Sequence, residues 1–164
     1  MTPPELSRII RLEHIGEGVI VDVEPNAAER EAIAQRLGII SVDALKCRFD
    51  LRRPLAGTVH VTGRLRATVV QTCVVSVEPF ETTVDEDFVV NFVPEGSERE
   101  ELDLDAEDEI PYADGIIDLG EATTEQLALA LDPFPRKPGA TLPEEAAAIP
   151  DGPFAALQRL RSRE

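Results

Sequence analysis

Tryptophan is absent from this chain, and only two cysteines, one methionine and one tyrosine occur among its 164 residues. Cys47 and Cys73 are too few for the disulfide framework of a small secreted domain, and nothing resembles a charged, apolar, cleavable leader, so the cytosol is the expected compartment. No apolar run approaches the ~20 residues needed to span a bilayer. Lys and Arg, which an anionic membrane surface would demand, number 16 against 32 Asp and Glu, so no membrane partner is expected. Phosphate-cradling patterns such as G-x-x-x-x-G-K-S/T or G-x-G-x-x-G are missing too. Ser76 has no G-x-S-x-G context, and His14 and His60 lie in strand-like segments without a triad around them. Nothing here assembles a catalytic site, and neither an enzyme, a cofactor nor a small-molecule substrate is expected.

What the chain has is an uneven charge. Residues 1–80 carry ten acids and ten bases, whereas residues 81–164 carry 22 acids and 6 bases, so the second half supplies the whole formal charge of −16. Length and a hydrophobic content of 43% suit one core. Residues 1–132 read as a single α+β domain. Residues 133–150, with five prolines, read as a linker, and residues 151–164 as a C-terminal docking helix.

Between Arg8 and Val23 two short strands are expected, turning at Gly16 and Gly18. Asn26 with Glu29 three residues on forms a capping box, which predicts a helix over 27–37, stopped by Gly38, with a narrow apolar stripe of Ile33, Ala34 and Leu37. From Val42 to Phe92 the pattern alternates. Leu45, Cys47, Phe49 and Leu51 face inward, as do Val59, Val61, Leu65, Ala67 and Val69 on a second strand and Phe80, Thr82, Val84, Phe88, Val90 and Phe92 on a third. The expected fold is an antiparallel β-meander, open or curled towards a barrel, flanked by two or three helices. From Glu95 to Glu109 nine of fifteen residues are acidic, which predicts a solvated loop. Asp118 then caps a second helix running to Leu131, buried through Ala122, Leu127, Ala130 and Leu131. In the terminal segment Phe154, Leu157 and Leu160 share one face.

The first two long strands carry a basic ribbon, Lys46, Arg48, Arg52, Arg53, His60, Arg64 and Arg66, which places four or five cations on the face opposite the inward residues. Cations about 7 Å apart along each strand resemble the repeat of a phosphate backbone. Glu81, Thr83, Asp85 and Asp87 project from the same face, with Arg66 expected opposite Asp87, so RNA contact and internal neutralisation both remain open. Cys73 and Ser76 leave C-x-x-C incomplete, and both thiols are expected to be small buried apolar groups, with no metal.

Three stretches together resemble one family: the turn from Cys73 to Phe80; Asp114-Gly115-Ile116-Ile117-Asp118-Leu119-Gly120-Glu121 with Glu125-Gln126-Leu127; and Pro153-Phe154-Ala155-Ala156-Leu157. Following an acidic approach in this order, they resemble the bacterial YceD family of large ribosomal RNA subunit accumulation proteins. The resemblance implies a role in preserving 23S ribosomal RNA and no catalytic residues. Many members carry C-x-x-C at this turn and further cysteines after the helix, where this chain has Ser76 and Arg136-Lys137-Pro138. The partners expected are precursor 23S ribosomal RNA, met by the ribbon, or a basic large-subunit ribosomal protein. The latter would be held by Glu100, Glu101, Asp103 and Asp105 with Phe154 and Leu157.

Overall fold

The computed structural model describes residues 4–55, 57–97 and 107–142. In chain order the elements are β1 (Ile9–Arg11), a 3-10 turn over Leu12–His14, β2 (Val19–Val23), α1 (Ala27–Leu37), β3 (Ser41–Leu55), β4 (Thr58–Thr72), β5 (Pro79–Pro94), β6 (Asp108–Tyr112), β7 (Ile116–Asp118) and α2 (Leu119–Ala130). Two-residue alternation makes β3, β4 and β5 long and one-sided. Their inward residues Leu45, Cys47, Phe49, Leu51, Val59, Val61, Leu65, Val69, Val90 and Phe92 are buried. Phe80, Thr82 and Phe88 are only partly covered.

The strands assemble as an open five-stranded sheet in the order β2-β3-β4-β5-β6, and β1 pairs with β7 separately. The α+β class expected from the sequence is the one observed, but three details differ. First, β1 and β2 do not form a hairpin: β1 pairs with β7 and β2 with β3. Second, the acidic stretch does not stay a loop to Glu109, because Asp108 begins β6. Third, β6 lies parallel to β5, so the sheet is mixed and not a pure meander, and it does not close into a barrel. Acids and Pro111 hide β6 in the sequence. An edge strand tolerates a proline, since an edge position has no obligatory ladder N–H to give.

Two helices cover the inner face. The expected capping box of α1 is present, with Glu29 N–H donating 3.0 Å to Asn26 Oδ1 and Asn26 N–H donating 2.8 Å to Glu29 Oε2. Gly38 adopts φ 65 and ends the helix. Helix α2 begins at Asp118, which accepts from Ser7 Oγ (2.7 Å), Arg8 N–H (2.8 Å), Gly120 N–H (2.9 Å) and Glu121 N–H (3.3 Å). One carboxylate thus caps the helix and fastens the N-terminal segment to it. Gly120 is needed for the same contact, because a Cβ there would lie 2.6 Å from the Leu6 carbonyl oxygen. Ala122 and Leu127 are buried as expected, joined by Leu119, Thr123 and Thr124, while Ala130 and Leu131 stay half-covered. The two threonines satisfy their hydroxyls on the Leu119 and Gly120 carbonyls, one helical turn back.

Candidate nucleic-acid interface

The inner face fixes the register of the sheet, and the register places the cations. Lys46 lies directly opposite Arg66, Arg48 opposite Arg64, and Arg52 opposite His60. The first two pairs form a two-by-two block of positive charge on the outer face, across the two strands β3 and β4. Like charges directly opposite one another are unfavourable. Neighbouring strands answer with carboxylates. On β5, Arg64 lies opposite Asp87 and Arg66 opposite Asp85, two residues away from the expected Arg66–Asp87 pair. Asp85 accepts from Arg64 Nε at 2.8 Å and Nη2 at 3.0 Å, and from Arg66 Nε at 3.4 Å. Asp87 is 3.7 Å from Arg64. On β2, Asp22 sits opposite Arg48, 3.7 Å from it and 4.0 Å from Lys46.

These pairs do not bury the block. Lys46, Arg48, Arg64 and Arg66 remain 55%, 59%, 48% and 65% exposed in their side chains, which leaves donors of each turned to solvent. The hydrogen bonds from Arg64 hold the Asp85 carboxyl below its ordinary value, and those same bonds raise Arg64. Two shallow clefts of about 470 and 480 Å³ flank the block, one reaching Lys46 and Arg66, the other Arg48 and Arg64.

The remaining ribbon residues separate from it. Arg52 turns along its own strand to Asp50 at 3.2 Å. Arg53 donates to the Leu12 carbonyl at 3.2 Å; it has the parity of Leu45, Cys47, Phe49 and Leu51 and not that of Lys46, Arg48 and Arg52, so strand alternation already sets it apart from the ribbon. His60 Nδ1 lies 3.0 Å from Asn91 Oδ1 and 3.4 Å from Glu107 Oε2. The sequence reading missed Asp22 and Glu107 as partners. Asp22 was discoverable, as the outward residue between Val21 and Val23.

The turn after β4 carries different chemistry. Cys73 is buried, as expected, but its sulfur is not merely apolar: it accepts N–H groups from Val75 (3.4 Å), Ser76 (3.4 Å) and Lys137 (3.3 Å). The Ser76 hydroxyl, then these N–H groups, bring the thiol down to about 6. Cys47 follows the apolar expectation, since burial pushes its thiol up to about 12. The Val74 N–H donates 2.9 Å to the Pro135 carbonyl and Lys137 Nζ pairs with Glu78 at 2.9 Å, so the segment following α2 is tied to this turn at several points. Val77 completes the turn at φ 57, a costly conformation for a β-branched residue. Ser76 and Lys137 supply donors to sulfur here, and among the described residues no three His, Cys, Asp or Glu side chains gather in a way that could hold a metal.

Glu100, Glu101, Asp103, Asp105, Phe154 and Leu157, together with the terminal helix expected over 151–164, lie outside the described residues. No helix among the described residues is long and apolar enough to cross a membrane. No curated protein and no solved structure matches the chain. A family model described as large ribosomal RNA subunit accumulation protein YceD matches residues 61–161, from within β4 to the C-terminal segment. That span holds Arg64, Arg66, Asp85, Asp87, the Cys73 turn and α2, and leaves Lys46, Arg48 and Asp22 outside it. Covering more than half of the sequence, the match places this chain in the YceD family of large ribosomal RNA subunit accumulation proteins.

Proposed function

We propose that the protein is a non-enzymatic factor in large ribosomal subunit biogenesis, and that it supports 23S ribosomal RNA accumulation by contacting the phosphates of precursor RNA. The observation that carries the RNA contact is the exposed block of Lys46, Arg48, Arg64 and Arg66. Adjacent cations along each strand are about 7 Å apart and the strands are about 4.8 Å apart, so the block suits two successive phosphates of one RNA strand. Outward positions of β3 and β4 carry no Phe, Tyr or Trp, and His60 is held by Asn91 and Glu107, so the contact is to backbone and not to stacked bases. The net charge of −16 opposes stable adhesion to RNA in general and favours contacts that are released.

The test is crosslinking in cells with the full-length tagged protein, followed by sequencing of the attached RNA. Replacement of Lys46, Arg48, Arg64 and Arg66 by Gln is expected to remove precursor 23S reads and to lower 23S accumulation. Undiminished crosslinking would remove the block from the account.

The acidic composition of residues 95–109 favours a second reading, in which the protein is an adaptor for a basic large-subunit ribosomal protein. Charge reversal of Glu100, Glu101, Asp103 and Asp105 would then abolish capture of that protein, and the Gln variant would retain it. The converse pattern selects RNA.

A further inference from the structure

We infer that Asp22, Asp85 and Asp87 are built-in competitors of the RNA phosphates, so that RNA occupies the block by displacing carboxylates of the same sheet. The inference rests on the RNA reading above. Its geometric basis is the order of charges across the sheet. One row runs Asp22, Arg48, Arg64, Asp87 over four neighbouring strands, and the next runs Lys46, Arg66, Asp85 over three. Arg48, Arg64 and Arg66 therefore each have another cation on one side and a carboxylate on the other, and Lys46, at the end of its row, meets Asp22 diagonally at 4.0 Å.

A carboxylate and a phosphate present the same kind of oxygen pair to a guanidinium fork. Asp85 engages the Nε and Nη2 edge of Arg64 at 2.8 and 3.0 Å, which is the edge a phosphate would use. The other contacts are looser: 3.4 Å for Arg66 to Asp85, 3.7 Å for Arg48 to Asp22 and 4.0 Å for Lys46 to Asp22. A phosphate can therefore take Arg48, Lys46 and Arg66 first and compete with Asp85 for Arg64 last. Four cations against three carboxylates leave the block with a net charge near one, too little to draw RNA from a distance. Contact needs the exchange, and the exchange limits affinity and shortens residence.

The experiment is fluorescence anisotropy of the full-length chain with a fluorescein-labelled oligouridylate and a labelled duplex RNA, from low to physiological salt. Exposed ion pairs of this kind are each worth about twofold in an equilibrium. Asp22→Asn/Asp85→Asn/Asp87→Asn is therefore expected to bind both probes about tenfold more tightly, with a steeper dependence on salt. A control with the same change in net charge, Glu13→Gln/Glu17→Gln/Asp114→Asn, alters turns outside the five-stranded sheet and is expected to change binding less than twofold.

An equal gain in both variants would show a general charge effect and overturn the inference. No gain in the aspartate variant, while Gln at the four cations still abolishes binding, would overturn the inference and leave the RNA reading standing. Binding that survives loss of the four cations would overturn the RNA reading itself. If the triple variant does not fold, Asp87→Asn alone tests the same point. Its side chain is 75% exposed, its ion pair among the described residues is the 3.7 Å contact to Arg64, and about a twofold gain is expected. No gain from that variant counts against the inference.

Discussion

A single methyl group at position 63 tests the packing that sets this surface. Gly63 lies opposite Phe49 on β3 and Phe88 on β5. The Phe88 ring lies across the glycine and meets Phe49 edge-on, with centroids 5.7 Å apart and planes at 75°. In Gly63→Ala the new Cβ would stand 2.1 Å from Phe88 Cζ and 2.5 and 2.6 Å from its two Cε atoms, so the ring must leave. Two effects oppose each other. Alanine is favoured over glycine in a strand interior by roughly 0.5–1 kcal/mol. Against this stand a forfeited edge-to-face pair, about 0.5–1.5 kcal/mol, and overpacking of about 1–3 kcal/mol. The net expectation is a loss of about 1–3 kcal/mol, equivalent to a melting temperature lower by roughly 3–10 °C at this chain length. Urea unfolding followed by circular dichroism measures it, provided that fluorescence probes give the same transition. The decisive comparison is in a Phe88→Leu background, where the ring is gone and Gly63→Ala should cost almost nothing, a coupling of about 1 kcal/mol or more. Equal costs in both backgrounds, or a Gly63→Ala protein as stable as the parent, would refute the packing argument.

Other substitutions probe the remaining joints. Asp118→Ala leaves four donors without their acceptor and is expected to destabilise the fold by about 1–3 kcal/mol in the same urea assay. Gly120→Ala drives a Cβ to 2.6 Å from the Leu6 carbonyl and 2.8 Å from the Arg8 nitrogen. Because backbone and not a flexible side chain is in the way, the N-terminal strand should detach from α2, and amide exchange at Arg8 should accelerate. Cys73 makes stability depend on pH. Its thiol is at about 6 in the folded protein against 9.0 for the free group, so the unfolded chain binds the extra proton between those values. Stability should therefore rise from pH 6 to pH 9 and fall as pH drops through 6. Unfolding midpoints across that range should flatten in Cys73→Ala; a slope unchanged by the substitution would assign it to other groups.

The parts of this fold that could be read from the sequence are those where one face of a strand or helix is buried and the other wet. Leu45 to Leu51 and Val59 to Val69 alternate because the inner face excludes water, and the alternation alone places Lys46, Arg48, Arg64 and Arg66 together. Asn26 and Asp118 were legible for a local reason, since a cap acts within three residues. β6 was not legible, because Asp108 and Glu109 are poor strand formers and their strand exists only as a parallel addition to β5. Arg53 was misplaced against parity, which groups it with Leu45 to Leu51 and apart from Lys46, Arg48 and Arg52. The sulfur of Cys73 depends on Lys137, 64 residues away, and only its two nearby donors leave any trace in the sequence.

The candidate surface inherits its rigidity from the core beneath it. β3 and β4 are interior strands, each paired along both edges, and they share a register over most of their length. A slip of one residue would carry Arg48 and Arg64 inward and turn Phe49 and Leu65 out to water, so every buried contact on the inner face opposes it. The cation block therefore holds its spacing without the ion pairs that surround it. Asp22, Asp85 and Asp87 are not required to position the arginines, since the pleat already does so. That leaves them free to act on affinity, which is why their replacement should change binding to RNA while the sheet stays in register.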